Sequence, residues 1–306
     1  MSSQTFHRRL DPPLIEALNK LAADSDSWWH ALISDKATFI AIRDRYLNVY
    51  LAGGSIARIG WSKNRVTVKV HHEYLTLPVP GDPYIDLNAA VPRDTLRPVI
   101  SSLIDYTADL GRIKRRVDLF IGGERRGENQ LARRIPNVID MEIAFNFDEQ
   151  NDDNPELTHP KSGRIDLAYV QKSGDLTFVE IKLYENQELH ANGRPRVCQQ
   201  LTAYAGWIEQ HGDDLLKAYE EVRAAYSKLQ GPFFEQRRAA FDKQLELDIV
   251  PRLLIYSYDQ WQEKEAKSLG RRVAKWMREK CGLPGFSDEH VLAKGNITSF
   301  DETDFT

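Results

Sequence analysis

Cysteine is nearly absent from this chain of 306 residues, which has only Cys198 and Cys281. The two lie far apart and match no metal-ligand or redox spacing, so a reduced, cytoplasmic setting is expected. Long apolar runs are missing too. No stretch approaches the ~20 residues of a membrane span. The first twenty residues, "MSSQTFHRRLDPPLIEALNK", have no apolar signal core, and no membrane partner is expected. There is no repeat and no low-complexity segment. An excess of positive charge is also lacking: the formal net charge is −4. That argues against general stickiness toward nucleic acid but leaves room for a local basic groove.

Several familiar chemistries are excluded as well. "AGGS" at 52–55 lacks the Lys-Ser/Thr and the following helix of a phosphate-binding loop, and reads as a hairpin turn. His71 and His72 are adjacent on a strand, so they point to opposite faces and would not chelate one ion. Trp28 and Trp29 could stack on bases, but core packing accounts for them more simply. No Ser-His-Asp spacing stands out.

What is present is ordinary for a globular protein: 42% hydrophobic and 28% charged residues, in a chain long enough for about two domains. Positive charge is clustered at 111–116 ("GRIKRR"), 124–134 ("ERRGENQLARR") and 270–280 ("GRRVAKWMREK"). Such runs are usually solvated helix faces. Here Arg133, Arg134 and Arg164 are candidate contacts to nucleic acid because of what lies between the clusters.

The first part of the chain reads as helices followed by a β-meander. "DPPLIEALNKLA" opens with an Asp cap and Pro in the first turn. Residues 35–44 read as a second helix. Short strands flank Gly53-Gly54, "RVTVKVHHEYLTL" is another strand, and a long helix is expected over roughly 94–119. The second part begins near Gly122-Gly123. "RGENQLARRI" reads as a helix, "VIDMEIAF" as a strand, and an acidic loop follows. After a hairpin comes the helix "RVCQQLTAYAGWIEQ". Next is a charged helical stretch over 213–246 that looks like an insertion. The strand "IVPRLLIYSYD", a closing helix and an acidic, mobile tail complete the chain. The expected divisions are an N-terminal α+β domain over 1–110, a mixed α/β domain over 111–290 and a tail over 291–306.

The hairpin carries the chemistry. In "LTFVEIKLYEN", Leu176, Phe178, Val179, Ile181 and Leu183 describe a buried strand interrupted by Glu180 and Lys182. Side chains alternate along a strand, so Glu180 and Lys182 share a face. Phe178 lies on that face, while Val179, Ile181 and Leu183 fill the other; both faces are therefore covered. Charged residues are almost never fully buried unless paired. Upstream, "GRIDLAYVQKSGD" is a second apolar run ending in a turn signal. A three-residue loop over 172–174 pairs Gln171 with Asp175 and sets Asp166 opposite Glu180; a two-residue turn shifts the pairing by one. Opposed carboxylates repel and destabilise a sheet. A divalent cation removes the objection, because hard cations take carboxylate oxygens.

"GRID", thirteen residues, "EIK" and then "QLTAY" together resemble the PD-(D/E)XK nuclease superfamily, in the variety with a Gln-x-x-x-Tyr helix found in RecB-type nuclease domains. The resemblance covers roughly 122–260. It implies a restriction-endonuclease-like mixed-sheet core in the order helix, three strands, helix, strand. Asp166 and Glu180 match the metal-binding carboxylates, with the Ile181 carbonyl as a third ligand. Lys182 matches the motif lysine, and Gln200 and Tyr204 match the helix motif lining the site. Glu128 fits the acidic residue carried by the helix before the first strand, with Glu124 and Glu142 as rivals. Ile165 stands where many members have proline, as is common in the Gly-x-x-Asp variety. The resemblance implies a nuclease using Mg²⁺, replaceable by Mn²⁺, that cuts nucleic acid, most simply DNA. Its setting would be restriction, anti-phage defence or repair. It leaves open an RNase, a non-catalytic binding or scaffold module, a homo-oligomer and a defence or repair protein as partner.

Overall fold

The computed structural model describes residues 6–71, 84–86, 110–146, 162–191 and 195–305. It is a mixed α/β protein with one antiparallel and one mixed sheet. The chain forms two compact units, one made of 1–133 and 217–239, the other of 134–216 and 240–306. The stretch 111–290 expected as one domain therefore contributes to both. Much of the presumed insertion at 213–246 belongs to the first unit.

In the first unit, helices α1 (Pro12–Ala23) and α2 (Trp28–Ser34) precede strands β1 (Thr38–Arg43), β2 (Tyr46–Leu51), β3 (Gly54–Ser62), β4 (Arg65–His71) and β5 (Tyr84–Asp86). The strands form an antiparallel meander in sequence order. Asp11 and Pro12 start α1 as read, although the Asp11 side chain makes no cap bond. The helix expected over 35–44 is instead β1, whose six residues are all buried. Phe39, Ile40 and Ile42 are β-formers, and burial between neighbours outweighs any helical periodicity in so short a run. Trp29 is fully buried and 6.1 Å from Phe234, as core packing requires.

Only the end of the helix expected over 94–119 lies among the described residues, as α3 (Leu110–Phe120); it leads into α4 (Gly123–Arg134). Gly53 has φ +93, and a Cβ there would collide with the Arg125 carbonyl. That close approach ties α4 to the meander. The returning segment contains α8 (Pro232–Arg237). Its Arg237 is 2% exposed, donates to the Ala132 carbonyl at 2.9 Å and lies 4.0 Å over the Phe233 ring. His72 and the acidic loop over 148–156 lie outside the described residues.

In the second unit, β6 (Val138–Asn146), β7 (Ser162–Val170) and β8 (Asp175–Leu183) run antiparallel in turn. Strand β10 (Arg252–Tyr256) lies parallel to β8, and β11 (Val291–Ala293) lies parallel to β10. Short β9 (Glu246–Leu247) pairs with the start of β8. Between β8 and β9 come α5 (Gln187–His190), α6 (Arg196–Gln210) and α7 (Gly212–Lys228), the last of which passes from this unit into the first. Helix α9 (Glu263–Lys280) follows β10. Leu253 and Ile255 of β10 share one core with Val197, Cys198 and Leu201 of α6 and with Leu269, Val273 and Met277 of α9.

The hairpin between β7 and β8 has the three-residue loop. Gln171 N donates to the Asp175 carbonyl at 2.9 Å, and Gly174 takes φ +109. A Cβ at Gly174 would strike the Gln244 carbonyl.

The segment expected as a mobile acidic tail is folded. β11 extends the sheet, Phe300 is fully buried, and the Arg134 guanidinium donates to the carbonyls of Ile297 at 3.3 Å and Phe300 at 3.2 Å. Its acidic residues mask a few apolar ones whose burial pins it. Phe300→Ala is therefore expected to cost about 3–5 kcal/mol, the usual range for a buried phenylalanine. An unchanged urea midpoint would return the segment to the status of a tail.

Candidate functional site

Asp166, Glu180 and Lys182 come together where β7 and β8 separate. The last paired residues are Leu167 and Val179. The next step outward sets Asp166 across from Glu180, in the register of the three-residue loop. There the ladder ends, and Asp166 Oδ2 accepts the backbone N–H of Ile181 at 2.6 Å. That bond orients the carboxylate and draws it toward the Glu180–Lys182 segment.

Glu180 is 2% exposed and Lys182 is 7% exposed. In the parallel register they stand beside Leu253 and Ile255, the β10 residues packed toward α6 and α9. This is not a solvated sheet face, so Glu180 and Lys182 are not a surface salt bridge. Lys182 Nζ lies 2.8 Å from Glu180 Oε1 and 2.9 Å from Glu188 Oε2. Burial alone would lower the lysine pKa, but the two carboxylates outweigh it and hold the pKa above its ordinary value. The ammonium is thus a fixed cation and hydrogen-bond donor. It also gives Glu180, one of the two opposed carboxylates, a positive partner.

Helix α6 covers this face. Pro195 precedes its first residue, Arg196, and apolar residues recur along its inner side. Tyr204 is buried and its hydroxyl donates to the Arg164 carbonyl at 2.8 Å, bracing the strand two residues from Asp166. Burial raises the Tyr204 pKa, and the negative charges of Glu180 and Asp166 raise it further. The phenol therefore stays protonated and keeps donating. Phe145 on β6 connects the layers, with its ring 5.7 Å from Phe178, 5.8 Å from Tyr204 and stacked 4.2 Å from Trp207. Gln200 lies one turn before Tyr204 on the same helix face. Among the described residues nothing donates a hydrogen bond to its buried Oε1.

Other sequence-read residues are placed differently. Glu128 is 4% exposed on α4 and belongs to the first unit, as do Glu124 and Arg133. Arg133 donates to the Lys36 carbonyl at 3.2 Å. Arg134 is engaged with the C-terminal carbonyls. Arg164 has a half-exposed side chain and pairs with Glu142 at 2.8 Å. Glu142 falls between the pairs Met141–Leu167 and Ile143–Ile165, hence across from Asp166, and has φ +51. A non-glycine residue in that region costs of order 1–3 kcal/mol and is typical of functional segments.

Glu188 escaped the sequence reading. The available signal was Asn186, whose side chain caps α5 by accepting the Glu188 N–H at 2.9 Å. An Asn-x-Glu start just after a charged strand marks a short helix that can return a carboxylate to that strand.

Among the described residues, no three His, Cys, Asp or Glu side chains converge closely enough to hold a metal ion alone. Two carboxylates with a backbone carbonyl are nevertheless a hard oxygen set. Mg²⁺ characteristically takes one or two carboxylates and keeps several waters. Gln200 Oε1, with no donor among the described residues, is a spare buried acceptor one helical turn from Tyr204. Asp166, Glu180 and Ile181 therefore fit the expected ion. Comparisons of this chain with models of protein families, with curated proteins and with solved structures found no match.

The buried pair makes a stability test. Lys182→Met strands the Glu180 carboxylate in an apolar layer, and breaking a buried pair costs about 3–5 kcal/mol. Adding Glu180→Leu should recover most of that loss, read as urea midpoints of the two variants. Equal midpoints for wild type and Lys182→Met would show that the pair is hydrated.

Proposed function

We propose that this protein is a divalent-metal-dependent phosphodiesterase acting on nucleic acid, with DNA as the favoured substrate. The observation that carries the reading is the buried Glu180 and Lys182 pair, with the half-buried Asp166 beside it, beneath Tyr204. Apolar residues of similar volume at these positions are often as stable or more so. A layer that keeps three charges there points to a task for them. The order β6, β7, β8, α6, β10, with β8 between an antiparallel and a parallel neighbour, supports the restriction-endonuclease-like core that the PD-(D/E)XK resemblance implies.

On this reading Asp166, Glu180 and the Ile181 carbonyl hold Mg²⁺ or Mn²⁺. Bound there, such an ion would supply electrophilic assistance at the scissile phosphate and would lower the pKa of a water. Lys182, held protonated, orients that water and offsets charge growing on the phosphate. Tyr204 fixes β7 so that Asp166 keeps its orientation, and Gln200 accepts a hydrogen bond from the water network. Arg164, half exposed and two residues from Asp166, offers a guanidinium to a flanking phosphate. The first unit would select the substrate or a partner. Work in anti-phage defence, restriction or repair belongs to the same proposal.

A non-catalytic binding module is favoured by one observation. Lys182 already pairs with Glu180 and Glu188, so the buried Glu180 carboxylate has a partner without an ion. Incubating the protein with plasmid, linear duplex, single-stranded DNA and RNA, each with Mg²⁺, Mn²⁺ or chelator, separates the readings. Metal-dependent cleavage of DNA, abolished by folded Asp166→Asn and Glu180→Gln variants, is expected. Binding without cleavage in every metal supports the module, cleavage of RNA alone makes it an RNase, and cleavage untouched by both variants overturns the site.

A further inference from the structure

Glu188 sits on a short, firmly held element. Asn186 caps α5, Leu189 is fully buried in the core shared by α6, β10 and α9, and the His190 ring packs edge-on to Tyr184 at 5.2 Å. Its carboxylate is a fixed acceptor at the edge of the site, and its side chain is one-third exposed. Lys182 is the movable partner, with four methylenes and three donors. It bridges one carboxylate assigned above to the ion, Glu180, and one that is not.

The consequence is electrostatic. An ion that takes Glu180 removes one of the two partners of Lys182. A buried ammonium with no carboxylate is costly, and that cost would be charged against binding the ion. We propose that Glu188 is the positioning residue that retains Lys182 when a divalent cation takes Glu180, so that the cation enters without stranding the lysine. This rests on the reading of Asp166 and Glu180 as metal carboxylates. It makes Glu188 part of the site without making it a ligand. The ammonium keeps its place beside the cation with a donor hydrogen freed from Glu180, which is where a phosphate oxygen would arrive.

The test needs no substrate. Mn²⁺ binding to the full chain is read from loss of the free-ion EPR signal. Wild type is compared with Glu188→Gln, Glu188→Asp, Glu185→Gln, Asp166→Asn, and Glu188→Gln in a Lys182→Met background. Groups just outside the ligand shell typically change metal affinity 10–100-fold. Glu188→Gln is expected to weaken Mn²⁺ by about that factor, and Glu188→Asp should fall between it and wild type. Glu185 is an exposed acid in the turn just before α5, so Glu185→Gln removes an equal charge and should change affinity less than about twofold. In the Lys182→Met background, Glu188→Gln should have no further effect. Equal losses in Glu188→Gln and Glu185→Gln would overturn the proposal, and that comparison decides alone if Lys182→Met does not fold. An undiminished effect without Lys182 would also overturn it, while the metal site stands. Wild-type binding no tighter than that of Asp166→Asn removes the metal site itself, and the role of Glu188 falls with it.

Discussion

A lysine ammonium held between two carboxylates in an apolar layer is the constraint around which the second unit is arranged. Lys182 is tolerated there because Glu180 and Glu188 both lie within hydrogen-bonding distance. Each neighbour serves that arrangement. β10 runs parallel to β8 and sets Leu253 and Ile255 beside the charges. α6 lays Tyr204 over them, and α5 returns Glu188 to the strand that precedes it. Removing water strengthens every one of these interactions and raises the cost of leaving any of them incomplete.

The site is a break in regular structure rather than an addition to it. β7 and β8 pair from the hairpin loop to Leu167 and Val179, and then the Asp166 side chain replaces the next backbone acceptor. On the opposite edge of β7, Glu142 adopts a left-handed conformation within a strand. Strand divergence and local strain at one level of the sheet expose polar groups that a continuous ladder would consume.

The hairpin was legible because its determinants are local. Lys172, Ser173 and Gly174 set the loop length, strand alternation set the shared face, and counting then placed Asp166 across from Glu180. Helix α6 was equally legible, since Pro195 marks its start and the apolar spacing marks its inner side. β1 was misread as helix because six residues carry too little period to distinguish the two states. The C-terminal segment was misread because its acidic composition outweighed Val291 and Leu292, which need the β10 edge, and Ile297 and Phe300, which need a core to be buried in.

Sequence alone determined which charges share a strand face, where the hairpin turns and which helix face carries Gln200 and Tyr204. These depend on residues fewer than five apart or on one short loop. Tertiary structure decided the rest: that Glu180 and Lys182 are buried, that Glu188 completes their pairing, that Arg134 serves the C-terminal carbonyls and that 217–239 belong with the first unit. Burial and partnership are properties of what the rest of the chain brings alongside. The free energy of a charge depends on that surrounding medium far more than on its neighbours in sequence.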